Sequence, residues 1–119
     1  MKVAIPTEDG RIVPRFGGAR EFTVYDVEIE LVKMRQVVTV PRGGIPDFLK
    51  KEGINAVICG QIGSAGRNLM RTRRIELTYG VFGNADDVMI RYLSGERLGD
   101  LEENTLWSLT GREEEDFAQ

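Results

Sequence analysis

The pattern of apolar and polar positions changes period near the middle of the chain. Residues 2–5 are a short apolar run that reads as a buried strand breaking at Pro6 and Thr7. Residues 7–20, with Gly10, Pro14, Gly17 and Gly18, predict a long loop. Over 21–27 the pattern alternates, with Phe22 and Val24 on one face and Thr23, Tyr25 and Val27 on the other, as in a strand. Residues 31–40 form a second β-branched stretch ended by Pro41. The link through Glu28, Ile29 and Glu30 is short enough for an antiparallel hairpin, although it lacks Asn-Gly or Asp-Gly.

From Pro46 onward the spacing becomes helical in places. Pro46 suits a first helical turn and Gly53 a C-terminal stop, bracketing a short helix. Residues 55–59 are an apolar run typical of a strand covered on both faces. Ser64 is placed to cap a helix running to 72 or 73, with Ala65, Leu69 and Met70 inward. Residues 75–79 predict another strand. Asn84 then caps a helix whose Ala85, Val88, Met89, Tyr92 and Leu93 follow the 3.6-residue period, and Gly95 ends it. The order β-β-β-α-β-α-β-α predicts an α/β fold, a mixed sheet with helices on its faces. Short connections place the hairpin on one side of the first strand and the two later strands on the other. A single domain over 1–95 is expected, followed by an acidic tail over 96–119 that is partly helical or disordered.

Composition narrows the function by subtraction. At 119 residues there is room for one core, and no apolar run reaches the ~18 residues of a membrane helix. The single cysteine, Cys59, excludes an intramolecular disulfide, so a cytoplasmic location is expected. There is no histidine, which removes Ser-His and Cys-His catalysis and zinc sites built on imidazole. A binding protein, not an enzyme, is the expectation. Net charge is unevenly spread: residues 1–94 hold 14 Lys and Arg against 11 Asp and Glu, and residues 95–119 hold 2 against 8. A mildly basic body suits an anionic ligand, but it is too weakly charged to imply nucleic acid. The basic run Arg67, Arg71, Arg73, Arg74 lacks interleaved aromatics and reads as a solvated helix face. Neither nucleic acid nor a membrane is expected as a partner.

Two glycine-rich segments are candidates for chemistry. In the first, the strand ending at Cys59 runs into Gly60-Gln61-Ile62-Gly63-Ser64-Ala65-Gly66 and then a helix. Such a turn can present backbone N–H groups, at the positive end of the helix dipole, to an anion, with Arg67 adding charge. The same glycines would serve equally for tight helix–sheet packing, and both readings stay open. The spacing matches neither the dinucleotide fingerprint nor the Walker pattern. In the second, Arg15-Phe16-Gly17-Gly18 lies in the long first loop. If the first strand neighbours the 55–59 strand, both segments face the crevice outside the carboxyl ends of the sheet, where open α/β folds bind ligands. By itself the second segment reads as an ordinary turn with Phe16 pinned to the core.

These residues resemble the dinitrogenase iron–molybdenum cofactor biosynthesis family, of the NifX and NifB C-terminal type. The resemblance is carried by Lys2-Val3-Ala4-Ile5-Pro6-Thr7, by Phe16-Gly17-Gly18-Ala19 with Phe22-Thr23-Val24-Tyr25-Asp26, and by Gly53-Ile54-Asn55-Ala56-Val57-Ile58-Cys59-Gly60-Gln61-Ile62-Gly63. Ile75-Glu76-Leu77 and Asn84-Ala85-Asp86-Asp87-Val88 also fit. It implies a ribonuclease H-like fold with a five-stranded mixed sheet. It further implies carriage of the iron–molybdenum cofactor, its iron–sulfur precursor or a related molybdenum cluster, with cluster-assembly proteins as partners. The implied cofactor-binding residues are Thr7, Arg15, Phe16, Gly17 and Gly18 from the first segment. Cys59, Gly60, Gln61, Gly63, Ser64 and Arg67 come from the second. Arg15 stands where the family's loop commonly has histidine, and a guanidinium donates hydrogen bonds but does not ligate metal. A cluster would then be held by charge and hydrogen bonds, with Cys59 as the one soft metal ligand. The alternative is a small-molecule anion-binding regulatory module using the same pocket.

Overall fold

A computed structural model describes residues 1–99, and it contains two tight hairpins where the pattern predicts one. Strand β1 (Lys2–Glu8) does not break at Pro6 but continues to Glu8. It turns through Asp9 (φ 52°) and Gly10 (φ 79°) and returns as the two-residue β2 (Arg11–Ile12), with Glu8 opposite Arg11. Two successive left-handed residues suit the twist of a two-residue hairpin, and Asp-Gly is a favoured sequence for it. The sheet therefore has six strands, correcting the expected five. Pro6 is tolerated because a strand residue's N and C=O point to the same side. Its carbonyl accepts from the Val13 N–H at 3.0 Å, so its missing donor also faces away from the β3 ladder.

Strands β3 (Glu21–Glu28) and β4 (Leu31–Thr39) form the second hairpin. Its loop residues, Ile29 (φ 52°) and Glu30 (φ 60°), also take left-handed conformations, but neither suits them and Ile29 is β-branched. The sheet order is β4-β3-β1-β5-β6, with β5 (Ala56–Ile58) and β6 (Glu76–Thr78) parallel to β1 and β2 off the end of β1. The hairpin thus lies on one side of β1 and the two later strands on the other, as expected.

Helices cover both faces, so the alternation of each strand divides one core into two layers. Val3, Ile5, Tyr25, Val27, Ala56 and Ile58 face α3 (Ala85–Leu93), meeting Ala85, Val88 and Met89. Ala4, Phe22, Val24, Val57 and Cys59 face α1 (Ile45–Glu52) and α2 (Ser64–Thr72), meeting Phe48, Leu49 and Met70. The second layer is organised around Phe22, stacked on Phe48 at 4.4 Å between centroids and met edge-on by Phe16 at 5.9 Å. Cys59 is fully buried there, and burial pushes its thiol pKa up to about 12. Leu98 still joins the α3-side layer. The expectation for residues 100–119 lies outside the described residues.

Helix ends follow local chemistry. Gly53 (φ 64°) closes α1, its N–H reaching the Leu49 and Lys50 carbonyls. The Asn84 side chain accepts from the Asp87 N–H at 3.0 Å, as a cap should. Ser64, expected to cap α2, is instead its first residue, because Gly63 takes the extended cap position, and as a glycine it has no side chain to bond the first turn. Strand β4 is an exposed edge on which a register shift leaves Lys33 between the Val27–Val32 and Asp26–Met34 pairs. A lysine at an irregular edge position discourages pairing with other strands. Tyr25 Oη and Arg35 Nε both donate to Asp86 Oδ1, at 2.7 and 2.8 Å, tying β3 and β4 to the start of α3.

Three outcomes follow for the fold. Phe48→Ala, which removes one ring of the stack, should cost about 3–5 kcal/mol in urea unfolding, whereas exposed Val37→Ala should stay within about 0.5 kcal/mol. Ile29→Asn with Glu30→Gly should raise stability by about 1 kcal/mol by relieving the left-handed turn, measured by the urea midpoint. Iodoacetamide at pH 8 should alkylate native Cys59 at least about a hundredfold more slowly than the urea-unfolded chain, read by mass spectrometry.

Candidate functional site

The loops that follow β1, β5 and β6 meet at the carboxyl ends of these parallel strands, and backbone hydrogen bonds stitch them together. The Phe16 N–H donates to the Gln61 carbonyl at 2.9 Å, and the Gln61 N–H donates to the Pro14 carbonyl at 2.8 Å, so Arg15 lies beside Gln61 as in a parallel ladder. The Gly80 N–H reaches the Gly60 carbonyl at 2.8 Å, and the Val81 N–H reaches the Cys59 carbonyl at 3.0 Å. The Ile12 N–H reaches the Gly83 carbonyl at 2.8 Å. Both glycine-rich segments therefore border one crevice, in the place where an open α/β sheet leaves room for a ligand.

The glycines divide into two kinds. At Gly60 an added Cβ would sit 2.7 Å from the Pro14 carbonyl oxygen and 3.1 Å from that of Val13, so only hydrogen lets the two loops touch. At Gly66 it would meet the Ile62 side chain at 2.7 Å, with Phe16 behind at 3.5 Å. These two serve close packing. Gly17, Gly18 and Gly63 meet nothing within 4 Å in the direction of a side chain and face open space. The room in the crevice is thus on the side of the 3₁₀ turn Phe16–Gly18 and the start of α2.

Electrostatics favour an anion at that end. Helix α2 begins at a glycine cap and without an acidic residue in its first turn, so neither its own cap nor its own first turn offsets the positive end of its dipole. Arg67 lies one turn in, its guanidinium 5.8 Å from the centre of the Tyr79 ring. Arg15, Gly17, Gly18, Gln61, Gly63 and Ser64 are exposed, while Phe16 is buried as a wedge between the loops.

Two expected site residues lie elsewhere. Thr7 is buried, with its Oγ1 2.8 Å from that of Thr23, because β1 runs past Pro6 and carries Thr7 into the sheet. Cys59 points into the core facing α1 and α2, and with its thiol held protonated it offers no thiolate to the crevice. Among the described residues no three His, Cys, Asp or Glu side chains gather as a metal-binding group. Sequence reasoning missed Tyr79 and Phe82, the latter 55% exposed with its ring against Gly60. The rule that placed the other loops would have found them, since Gly80-Val81-Phe82-Gly83 follows the third parallel strand.

Comparison with known proteins agrees with this fold. The family model described as dinitrogenase iron–molybdenum cofactor matches residues 1–95. The solved structure of PH0822 is 34% identical, with a TM-score of 0.77, covering 84% of this chain and 95% of that one. The structure of MJ0327 from Methanocaldococcus jannaschii, named as a candidate dinitrogenase, is 25% identical with a TM-score of 0.69, covering 84% and 94%. The apo orange protein of Desulfovibrio gigas shares the fold at 21% identity and a TM-score of 0.70, covering 83% and 92%. The uncharacterized protein MJ0580 of M. jannaschii is 22% identical, covering 80% of this chain and 87% of its own length. Matched along nearly all of its described length, the chain belongs to the dinitrogenase iron–molybdenum cofactor family.

Proposed function

We propose that this protein is a non-catalytic carrier of an anionic metallocluster, of the iron–molybdenum or iron–sulfur type, bound as cargo in the crevice between the two glycine-rich loops. The observation that carries this reading is the pairing of Phe16 with Gln61, which brings open Gly17, Gly18 and Gly63 beside the uncapped start of α2. Clusters of this type are anionic, and backbone N–H groups with Arg15 and Arg67 would hold one by charge and hydrogen bonds. The family is associated with iron–molybdenum cofactor biosynthesis or binding, which supports the cargo class. A nuclease reading gains nothing, since the one acid of β1, Glu8, stands exposed at its end and no group of three carboxylates gathers among the described residues.

A second reading, a regulatory module for a small oxyanion, is favoured by one observation: the described residues assemble no set of metal ligands. The two readings share the site and differ in the guest.

Gly63→Asp tests the site itself. Gly63 has φ −78°, which any residue adopts, and aspartate is a good helix cap, so stability should hold or rise by a few tenths of a kcal/mol. Its carboxylate would occupy the anion position and should weaken binding of tetrathiomolybdate by about tenfold or more in anaerobic equilibrium dialysis. Unchanged affinity would sink the site. Anaerobic reconstitution with iron, sulfide and molybdate distinguishes the guests: metal retained after desalting supports the cluster, and molybdate binding without iron supports the oxyanion.

A further inference from the structure

We infer that the amino end of the sheet, where α1 and α2 finish, is a docking surface for an acidic patch on a partner protein. It lies at the opposite end of the strands from the crevice and stands apart from the function proposed above. Strands β1, β5 and β6 are parallel, and α1 leads into β5 and α2 into β6 on the same face of the sheet. Both helices therefore end where these strands begin. The two exits are adjacent. The Glu76 N–H donates to the Asn55 carbonyl at 3.0 Å, and the Asn55 N–H donates to the Lys2 carbonyl at 2.9 Å.

Cations gather there. Lys50 and Lys51 stand in the last turn of α1 and Arg71 in that of α2, with Arg73 and Arg74 following directly. All five are exposed. Lys2, at the start of β1, shares the face of Ala4 toward these helices. Half-buried Glu52 is the acid among them, because Glu76 turns to the other face and hydrogen-bonds Tyr92 of α3. Lys51 is tied to Asp47 at 3.2 Å and Arg71 to Asn68 at 2.6 Å. Lys50, Arg73 and Arg74 have no side-chain partner among the described residues.

The backbone supplies an independent observation. Helices α1, α2 and α3 end in the same two-bond motif, with a left-handed residue at its middle. At α1, the Gly53 N–H reaches the Lys50 carbonyl and the Ile54 N–H that of Leu49, at 3.3 and 3.1 Å. At α3, Gly95 reaches Tyr92 and Glu96 reaches Arg91, both at 3.1 Å. At α2, Arg74 reaches Arg71 and Ile75 reaches Met70, at 3.1 and 2.8 Å. The left-handed residue is thus glycine at α1 and α3 (φ 64° and 85°) and arginine at α2 (φ 57°). For an L-residue that conformation costs a factor of about five to thirty in the folding equilibrium. Attraction of an exposed cation to the negative end of a helix offsets only about two- to fivefold, and Arg71 already stands in that last turn. Arg74 is therefore kept against the preference of its backbone, within the cation cluster.

The groups present define the partner. Arg71, Arg73 and Arg74 carry guanidinium forks, which pair bidentately with carboxylates or phosphates. Carboxylates fit better. Phe82, the exposed aromatic among the described residues, lies at the crevice instead, so nothing here stacks a base. Glu52 among the cations suits a protein surface of mixed charge and opposes a uniform phosphate surface.

The full chain is tested in about 0.15 M salt, with a fluorescein-labelled octaglutamate peptide as the probe, by fluorescence anisotropy. Arg74→Gly and Arg73→Gln should each weaken binding about fivefold or more, and Lys33→Gln, at the β4 edge, should change it by less than about twofold. The urea midpoint of Arg74→Gly should equal or exceed that of the native chain, since glycine fits the left-handed position. Unchanged affinity in either arginine variant overturns the inference. An equal loss in Lys33→Gln also overturns it, since the attraction would then be one of net charge. So does failure of octaglutamate to bind at up to about 1 mM. Tighter binding of a thymidine oligonucleotide of equal charge overturns the choice of a protein partner. A lower urea midpoint for Arg74→Gly overturns the backbone argument, because the arginine would then be kept for the fold.

Discussion

Gly60 has the backbone carbonyls of Val13 and Pro14 where any other residue would begin its side chain. That contact lets the segment after β1 lie along the turn after β5, and the two hydrogen bonds between Gln61, Pro14 and Phe16 follow from it. With the segment held there, Phe16 reaches the core edge-on to Phe22, and Ile62 folds over Gly66. The remaining glycines, with nothing opposite them, are left to border an open crevice. One steric constraint therefore produces both a dry seam and a wet opening beside it.

The two helix starts nearest the sheet's carboxyl end show how differently the same problem can be met. At α3, Asn84 caps the first turn, and Asp86 and Asp87 place negative charge at the positive end of the dipole. At α2, Gly63 caps nothing, and no acid stands in the first turn. A helix that satisfies its own N-terminus gains stability. One that does not leaves the positive end of its dipole without compensation from its own first turn.

Much of the fold was legible because side-chain periodicity reports burial directly. The alternation of Phe22, Thr23, Val24, Tyr25 and Val27 put the right residues on the right faces, and the apolar 55–59 run is indeed covered by helices on both sides. The misreadings were local. Pro6 looked like a strand breaker, but its missing donor faces away from the β3 ladder, so no hydrogen bond with that strand is lost. Asp9-Gly10 carried the hairpin signal that 28–30 lacked, yet β2 is too short to show a period. The expectation that the two glycine-rich loops lie side by side at the carboxyl ends of the strands agrees with the pairing of Phe16 and Gln61. Thr7 and Cys59 were misplaced because a strand's length and the direction of one side chain are settled by neighbouring strands.

By itself the sequence determined the class of fold, its two-faced core, the absence of histidine chemistry and the separation of a basic body from an acidic segment. These are properties of composition and short-range order, which each stretch of chain carries alone. Only the tertiary structure decided which glycines pack and which stay open, that Cys59 is sealed in the core, and that Tyr79 and Phe82 join the crevice. The reason is distance along the chain. Gly60 meets Pro14, and Arg67 meets Tyr79, only after the sheet has brought its carboxyl ends together. No local pattern can report how much room is left between them.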